Sequence, residues 1–197
     1  MKKIVRLEGL DGGGKSTTAE VLETTLRLRG HNVLRVHEPG STPLAEKLRS
    51  IALDDPEPRS NLTELLIFLT ARSALMDMLE ASQADIIISD RGYPSTWVYQ
   101  VKDDITQVMY DRTVNLLNPD VPTISVLLSC SYETYLSRRG EKREGSDNIE
   151  RRLKSKEAYE ELTERYKNFP GGYDMHFETD NITPAEIVGE ILKCLSQ

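Results

Sequence analysis

The residues best suited to chemistry are Gly9-Leu10-Asp11-Gly12-Gly13-Gly14-Lys15-Ser16, which satisfy G-x-x-x-x-G-K-[ST] at every fixed position. Glycines let consecutive backbone N–H groups curl around a phosphate with no Cβ in the way. The loop then enters a helix, whose first N–H groups are orphan donors beside a partial positive charge. In such loops the lysine reaches the β- and γ-phosphates and the hydroxyl ligates Mg²⁺, the roles open to Lys15 and Ser16. Ile4, Val5 and Leu7 form an apolar lead-in, and a helical pattern follows, as the motif requires. Residues Gly9, Asp11, Gly12, Gly13, Gly14, Lys15, Ser16 and Thr17 are therefore expected to bind ATP or GTP. What the phosphate is used for must be read elsewhere.

Four further clusters carry polar groups in suggestive order. Asp90-Arg91 closes the apolar run Ile86-Ile87-Ile88-Ser89. Asp90 suits either the Mg²⁺ shell or the cap of the next helix; Arg91 suits a phosphate. Glu64, Phe68 and Arg72 stand four apart and share a helix face. That stripe is either ordinary core or a stacking ring beside a fork of donors, which would fit a nucleobase. After Pro94, Ser95 fits an N-cap, and Thr96, Tyr99 and Gln100 project together. They form a capped surface helix or a set of contacts to a base and sugar. Arg138-Arg139-Gly140-Glu141-Lys142-Arg143 is the densest positive run. It is a solvated loop or a mobile lid over residues 138–148 that brings charge to a transferring phosphate.

Elements must bring these clusters together. Strand-like runs cover Ile4–Leu7, Val33–Val36, Asp85–Ser89, Thr123–Leu128 and Met175–Glu178. Helical patterns cover Lys15–Arg29, Pro43–Leu53, Thr63–Ala81, Thr96–Val101, Thr106–Leu117, Tyr132–Arg138, Ile149–Asn168 and Pro184–Leu195. The alternation predicts an α/β fold: a three-layer, P-loop NTP hydrolase-like architecture. Its parallel sheet has about five strands with helices on both faces. Ligands of such sheets sit at the carboxyl ends of the strands. The glycine loop, His37-Glu38-Pro39-Gly40 and Asp90-Arg91-Gly92 each follow a strand, so they converge on one edge.

The 197 residues suit a single domain, 1–197, with no linker long enough to divide it. No apolar run reaches membrane-spanning length, and Met1-Lys2-Lys3-Ile4 enters a strand with no room for a signal peptide. Cys130 and Cys194 are too few for a disulfide framework or zinc site, which points to a cytoplasmic setting. A net charge of −7 argues against nucleic acid as a partner.

Together these segments resemble the thymidylate (dTMP) kinases. The carrying residues run Glu8 to Thr17, then Glu38-Pro39-Gly40-Ser41-Thr42-Pro43, then Glu64-Leu65-Leu66-Ile67-Phe68-Leu69-Thr70-Ala71-Arg72. Asp90-Arg91, Ser95-Thr96-Trp97-Val98-Tyr99-Gln100 and Asp147-Asn148-Ile149-Glu150 continue the pattern. The resemblance implies that Phe68 stacks on thymine and Arg72 donates to a base carbonyl. Thr96 and Gln100 would meet the other polar edge, and Tyr99 would crowd the sugar 2′ position. Arg91 would grip the acceptor monophosphate, with Asp11 near the reacting phosphates and Glu38 organising that region. Mg²⁺ would lie on Ser16 and Asp90. A homodimer is implied, as in similar kinases.

One type of this family carries a catalytic arginine inside the P-loop, where this chain has Gly12; the other carries basic residues in the lid. Arg138, Arg139, Lys142 and Arg143 are then the candidates, with Arg139 and Arg143 favoured as catalytic beside Asp11, Lys15 and Arg91. Departures from the family pattern are His37 in place of arginine, Ser41 in place of glycine, Gly92 in place of tyrosine and Thr18 in place of glutamine. They leave open a kinase for another nucleoside monophosphate with relaxed base preference. A guanine-reading switch is disfavoured because Val101-Lys102-Asp103-Asp104 lacks the asparagine of Asn-Lys-x-Asp.

Overall fold

The computed structural model describes residues 2–55, 57–118, 121–139 and 155–196. The strands are β1 (Lys3–Glu8), β2 (Val33–His37), β3 (Ile86–Asp90), β4 (Thr123–Ser129) and β5 (Met175–Glu178). The helices are α1 (Lys15–Leu28), α2 (Pro43–Asp54), α3 (Asn61–Ala81), α4 (Tyr93–Gln100), α5 (Asp104–Leu117), α6 (Tyr132–Arg139), α7 (Lys156–Lys167) and α8 (Pro184–Leu195). One five-stranded sheet runs in the order β2-β3-β1-β4-β5, with every pair parallel. The expected fold class is therefore borne out, and the polar residues at the strand ends share the sheet's carboxyl edge.

The central strands are apolar on both faces because helices cover both. Val5, Leu7, Ile88, Val126 and Leu128 pack against Leu22 and Leu26 of α1 and against Ile187 and Ile191 of α8. On the opposite face Ile4, Val36 and Ile87 meet Leu75 and Leu79 of α3. Side chains alternate along β1, so Arg6 and Glu8 point to the same side as Ile4. Both are buried, at 4 % and 0 % exposure.

The element boundaries follow local chemistry. Ser60 accepts the Thr63 backbone N–H and starts α3 at Asn61, two residues before the helical pattern predicts. Asp103 and Thr106 form a reciprocal capping box, which starts α5 at Asp104. A larger correction concerns Ser95, expected as an N-cap. The helix begins earlier, at Tyr93, because Pro94 in its first turn needs no N–H partner. Gly92 is the N-cap and makes no side-chain cap bond. Ser95 instead lies inside α4 at 7 % exposure. Of the pattern expected over Ile149–Asn168, residues 149–154 lie outside the described residues; Ser155 caps α7.

Leu22 is fully buried between the sheet and α8. Leu22→Ala should lower unfolding stability by about 2–5 kcal/mol, read from the shift in denaturant midpoint.

Candidate active site

The glycine loop joins β1 to α1 and lies against the end of β4. A Cβ on Gly9, whose φ is +128°, would overlap the Leu128 carbonyl. Gly12 has φ +78°, and a Cβ there would come 3.0 Å from the Tyr135 ring. A P-loop arginine at position 12 is thus opposed by both backbone and neighbour.

The functional atoms of the loop already hold partners. Lys15 Nζ donates to the Leu10 carbonyl at 3.0 Å and lies 3.5 Å from Asp11 Oδ1. Ser16 Oγ donates to Asp90 Oδ2 at 3.0 Å. Two hard oxygen donors at the mouth of the P-loop fit a magnesium ion. Among the described residues no group of three or more His, Cys, Asp and Glu could hold a metal. Thr17 is exposed on the first turn of α1.

Arg91 binds the parts of this edge together. Its φ of +73° is uncommon for a side-chain-bearing residue. The turn is held by Arg91 N–H donating to Leu7 O at 2.9 Å and Ser89 Oγ donating to Arg91 O at 2.7 Å. The guanidinium donates to Gly9 O at 2.9 Å, Tyr166 Oη at 2.7 Å and Asp11 Oδ1 at 2.7 Å. Burial opposes its charge, but Tyr166, Tyr99, Asp11 and Asp90 outweigh that and hold its pKa above the ordinary arginine value. It stays charged.

Beside Arg91 opens a cleft between the P-loop, α2, α3 and α4. Asp11, Glu38, Phe68, Arg91, Thr96, Tyr99 and Gln100 of the expected set line it. Arg72 is not among the residues that line it, but pairs with Glu38, which does. At 3 % exposure its guanidinium donates to both Glu38 oxygens at 2.7 Å and to Asn118 Oδ1 at 3.2 Å. Glu64, the third member of that stripe, pairs with Lys102 at 3.5 Å. His37 is turned away, with Nε2 2.9 Å from Glu46 Oε1.

The basic segment is only partly described. Arg138 donates to Gly12 O at 2.8 Å, to Thr179 Oγ1 at 2.8 Å and to Thr179 O at 2.5 Å, so it fastens α6 to the P-loop. The side chain of Arg139, together with Lys142, Arg143 and the Asp147–Glu150 block, lies outside the described residues.

Sequence reasoning missed several cleft residues. Pro39, Arg49, Leu53 and Ser95 also line it. Arg49 and Leu53 stand four apart on α2, a signal of a shared face, but nothing in the spacing marks that face as a binding wall. Glu8, a motif residue by sequence, is the fully buried last residue of β1. Burial pushes its carboxyl up to about 7, against the lowering effects of the Ser95 hydrogen bond, Arg6 and Arg91. Ser95 Oγ donates to Glu8 Oε2 at 2.5 Å and lies 2.8 Å from Tyr166 Oη.

A family model described as thymidylate kinase matches residues 7–184. The thymidylate kinase of Ruegeria pomeroyi is 33 % identical over 192 residues, covering 89 % of this chain and 90 % of that one. That of a Thermoanaerobacter species is 33 % identical over 178 residues, covering 85 % of each. Among solved structures, the Ehrlichia chaffeensis thymidylate kinase shares the fold at a TM-score of 0.67 and 22 % identity, covering 100 % of both chains. The Candida albicans thymidylate kinase aligns at a TM-score of 0.68 and 19 % identity, over 99 % of this chain and 91 % of that one.

The raised Glu8 pKa makes a linkage prediction. A carboxyl whose folded-state pKa lies above its unfolded value favours folding at low pH and loses that contribution as pH rises through the folded value. Between about pH 4.5 and about 7 the native protein should lose stability relative to Glu8→Gln, by roughly 3 kcal/mol at full titration. Urea unfolding of both proteins across that range measures the difference.

Proposed function

Because the chain belongs to the thymidylate kinase family, we propose that it transfers the γ-phosphoryl group of ATP to dTMP, giving dTDP and ADP. The observation that carries this reading is the junction at Arg91. One guanidinium touches the P-loop and lines the cleft that Phe68, Thr96, Tyr99 and Gln100 share. Donor and acceptor would then meet across the Asp11–Arg91 pair.

The acceptor needs no general base, because a phosphomonoester has a second pKa of about 6 and presents an anionic oxygen at neutral pH. Catalysis reduces to alignment and neutralisation of charge. The P-loop amides and Lys15 would hold the ATP phosphates once Lys15 leaves the Leu10 carbonyl. Ser16 and Asp90 would hold Mg²⁺, which when bound neutralises phosphate oxygens. Arg91 would grip the acceptor phosphate, with Arg139 and Arg143 adding charge from a lid. Phe68 would stack on thymine, while Thr96 and Gln100 read its polar edge and Tyr99 packs on the deoxyribose. Arg72 would share its donors between Glu38 and the base carbonyl. Arg49 extends the cleft wall and adds a cation to it.

The same reading includes a cytoplasmic homodimer. Free Cys130 and Cys194 suit a reducing compartment, and among the described residues no helix is long and apolar enough to cross a membrane. Leu44 and Ile51 of α2 and Leu66 of α3 are exposed apolar residues that a second copy would cover.

Purified protein with ATP and Mg²⁺ should phosphorylate dTMP well ahead of dUMP, dGMP, dCMP and AMP; equal use of dTMP and AMP would sink the reading. Arg72→Ala should raise KM for dTMP about tenfold or more while moving KM for ATP little. Equal losses for both substrates would make Arg72 structural. Removal of Mg²⁺ by chelation should abolish transfer, measured as dTDP formed.

A further inference from the structure

We infer that Arg165 is a positioning residue for the acceptor site: reaching from α7, it closes the last turn of α4 and so fixes where Tyr99 and Gln100 stand in the cleft. The inference rests on the reading that α4 meets the base and deoxyribose of dTMP.

α4 needs outside support. It has eight residues, about two turns, and a helix that short is marginal without help from its surroundings. Its ends also lack local caps. α2, α3, α5, α7 and α8 each start on a side chain that accepts a backbone N–H, from Thr42, Ser60, Asp103, Ser155 and Thr183 in turn. α4 starts on Gly92, with no such bond. A Cβ at Gly92 would lie 2.8 Å from Arg6 Cδ and Nε, so a capping side chain has no room there. The other end closes on Val101, an extended β-branched residue, with no basic residue in the last turn. A glycine in the left-handed region or a cation in the last turn is the common finish.

α7 supplies what α4 lacks. Arg165 Nη2 donates to Val101 O at 2.8 Å and to Trp97 O at 3.3 Å. The Trp97 carbonyl also accepts the Val101 backbone N–H at 3.2 Å, so the guanidinium takes its second lone pair. A positive charge at the carboxyl end of a helix is favoured by the helix dipole. The Arg165 guanidinium carbon lies 5.1 Å from the centre of the Trp97 ring, so one side chain holds both the carbonyl and the indole of the same residue. The indole is fixed in turn, by Nε1 donating to Gln107 Oε1 at 3.2 Å and by an edge contact with Phe169. The next residue of α7 takes the other end of α4. Tyr166 Oη lies 2.8 Å from Ser95 Oγ, and its ring meets Tyr99 edge-on.

The two grips differ in what they reach. Tyr166 joins Ser95 to Arg91, where the acceptor phosphate would lie. Arg165 secures the turn from Trp97 to Val101, and that turn carries Tyr99 and Gln100 into the cleft. Loosening it would let those two side chains shift while Arg91 and the P-loop keep their contacts. The expected signature is weaker use of the acceptor and poorer sugar discrimination, with the ATP site unchanged.

Steady-state kinetics on the full chain test this. Arg165→Met keeps the apolar stem and removes the charged fork. It should raise KM for dTMP about fivefold or more, with KM for ATP within about twofold. Its preference for dTMP over the ribonucleotide of thymine should fall about threefold or more, because Tyr99 would no longer pack squarely on the sugar. Arg165→Lys, which keeps the charge and a donor for the last carbonyls, should stay within about twofold of the parent. The inference is overturned if Arg165→Met leaves KM for dTMP or the sugar preference unchanged, raises both KM values alike, or is matched by Arg165→Lys. Thermal melts establish that each variant folds. If Arg165→Met does not, Arg165→Gln is judged by the same outcomes; if neither folds, Arg165 is a stability residue and the inference fails. Tyr99→Ala separates the two readings. No change in KM for dTMP or in sugar preference there would refute the role of α4 itself. A change there with none in Arg165→Met would overturn only the role of Arg165.

Discussion

The Arg91 guanidinium is the fastening on which the rest of the edge depends. It donates to the P-loop at Gly9 and Asp11 and to α7 at Tyr166, while its own backbone is tied to β1 at Leu7. Separate pieces of chain, distant in sequence, are thereby fixed relative to one positive charge. Arginine suits the task because its fork presents several donors in fixed directions and keeps its charge when buried. The left-handed backbone at Arg91 is the local strain that aims the fork, and the Ser89 hydroxyl and Leu7 carbonyl hold it in place.

Around that fastening the chain solves an electrostatic problem. It carries a net −7 and must still receive polyanions. The solution is local matching: Glu38 with Arg72 and Asp11 with Arg91. Each carboxylate holds a cation in a chosen place at little net cost, since unmatched charges could not stay buried. Phosphates entering the site would take over the work of the carboxylates. Arg138 adds a further positive charge and ties α6 to the P-loop at Gly12.

What was legible in the sequence was periodic or strictly spaced. Ile86-Ile87-Ile88 declares a strand covered on both faces, and the glycine loop declares its own turn, so sheet, order of layers and donor site followed. Harder to read were contacts made at long separation. Ser95 looks like a cap because capping is a local rule, yet its hydroxyl is bound to Glu8, 87 residues away. Arg49 and Leu53 form an ordinary helix face until α2 is laid beside the cleft. Arg72 fits a base reader by type, but only the tertiary structure reveals that its guanidinium is bound to Glu38. The penalty for a side chain at Gly92 is equally invisible without Arg6 behind it.

The Lys15 side chain is 5 % exposed, and its ammonium is held by the Leu10 carbonyl of its own loop, with Asp11 close by. A nucleotide bound by this loop would not meet a bare cation; it would have to outcompete an internal oxygen for the same protons. Binding is then a swap of partners, and its free energy is the difference between two sets of contacts. Such a loop discriminates by charge density. A doubly or triply charged phosphate tail wins the exchange, while a neutral hydroxyl or amide in the same position gains too little over the carbonyl it would displace.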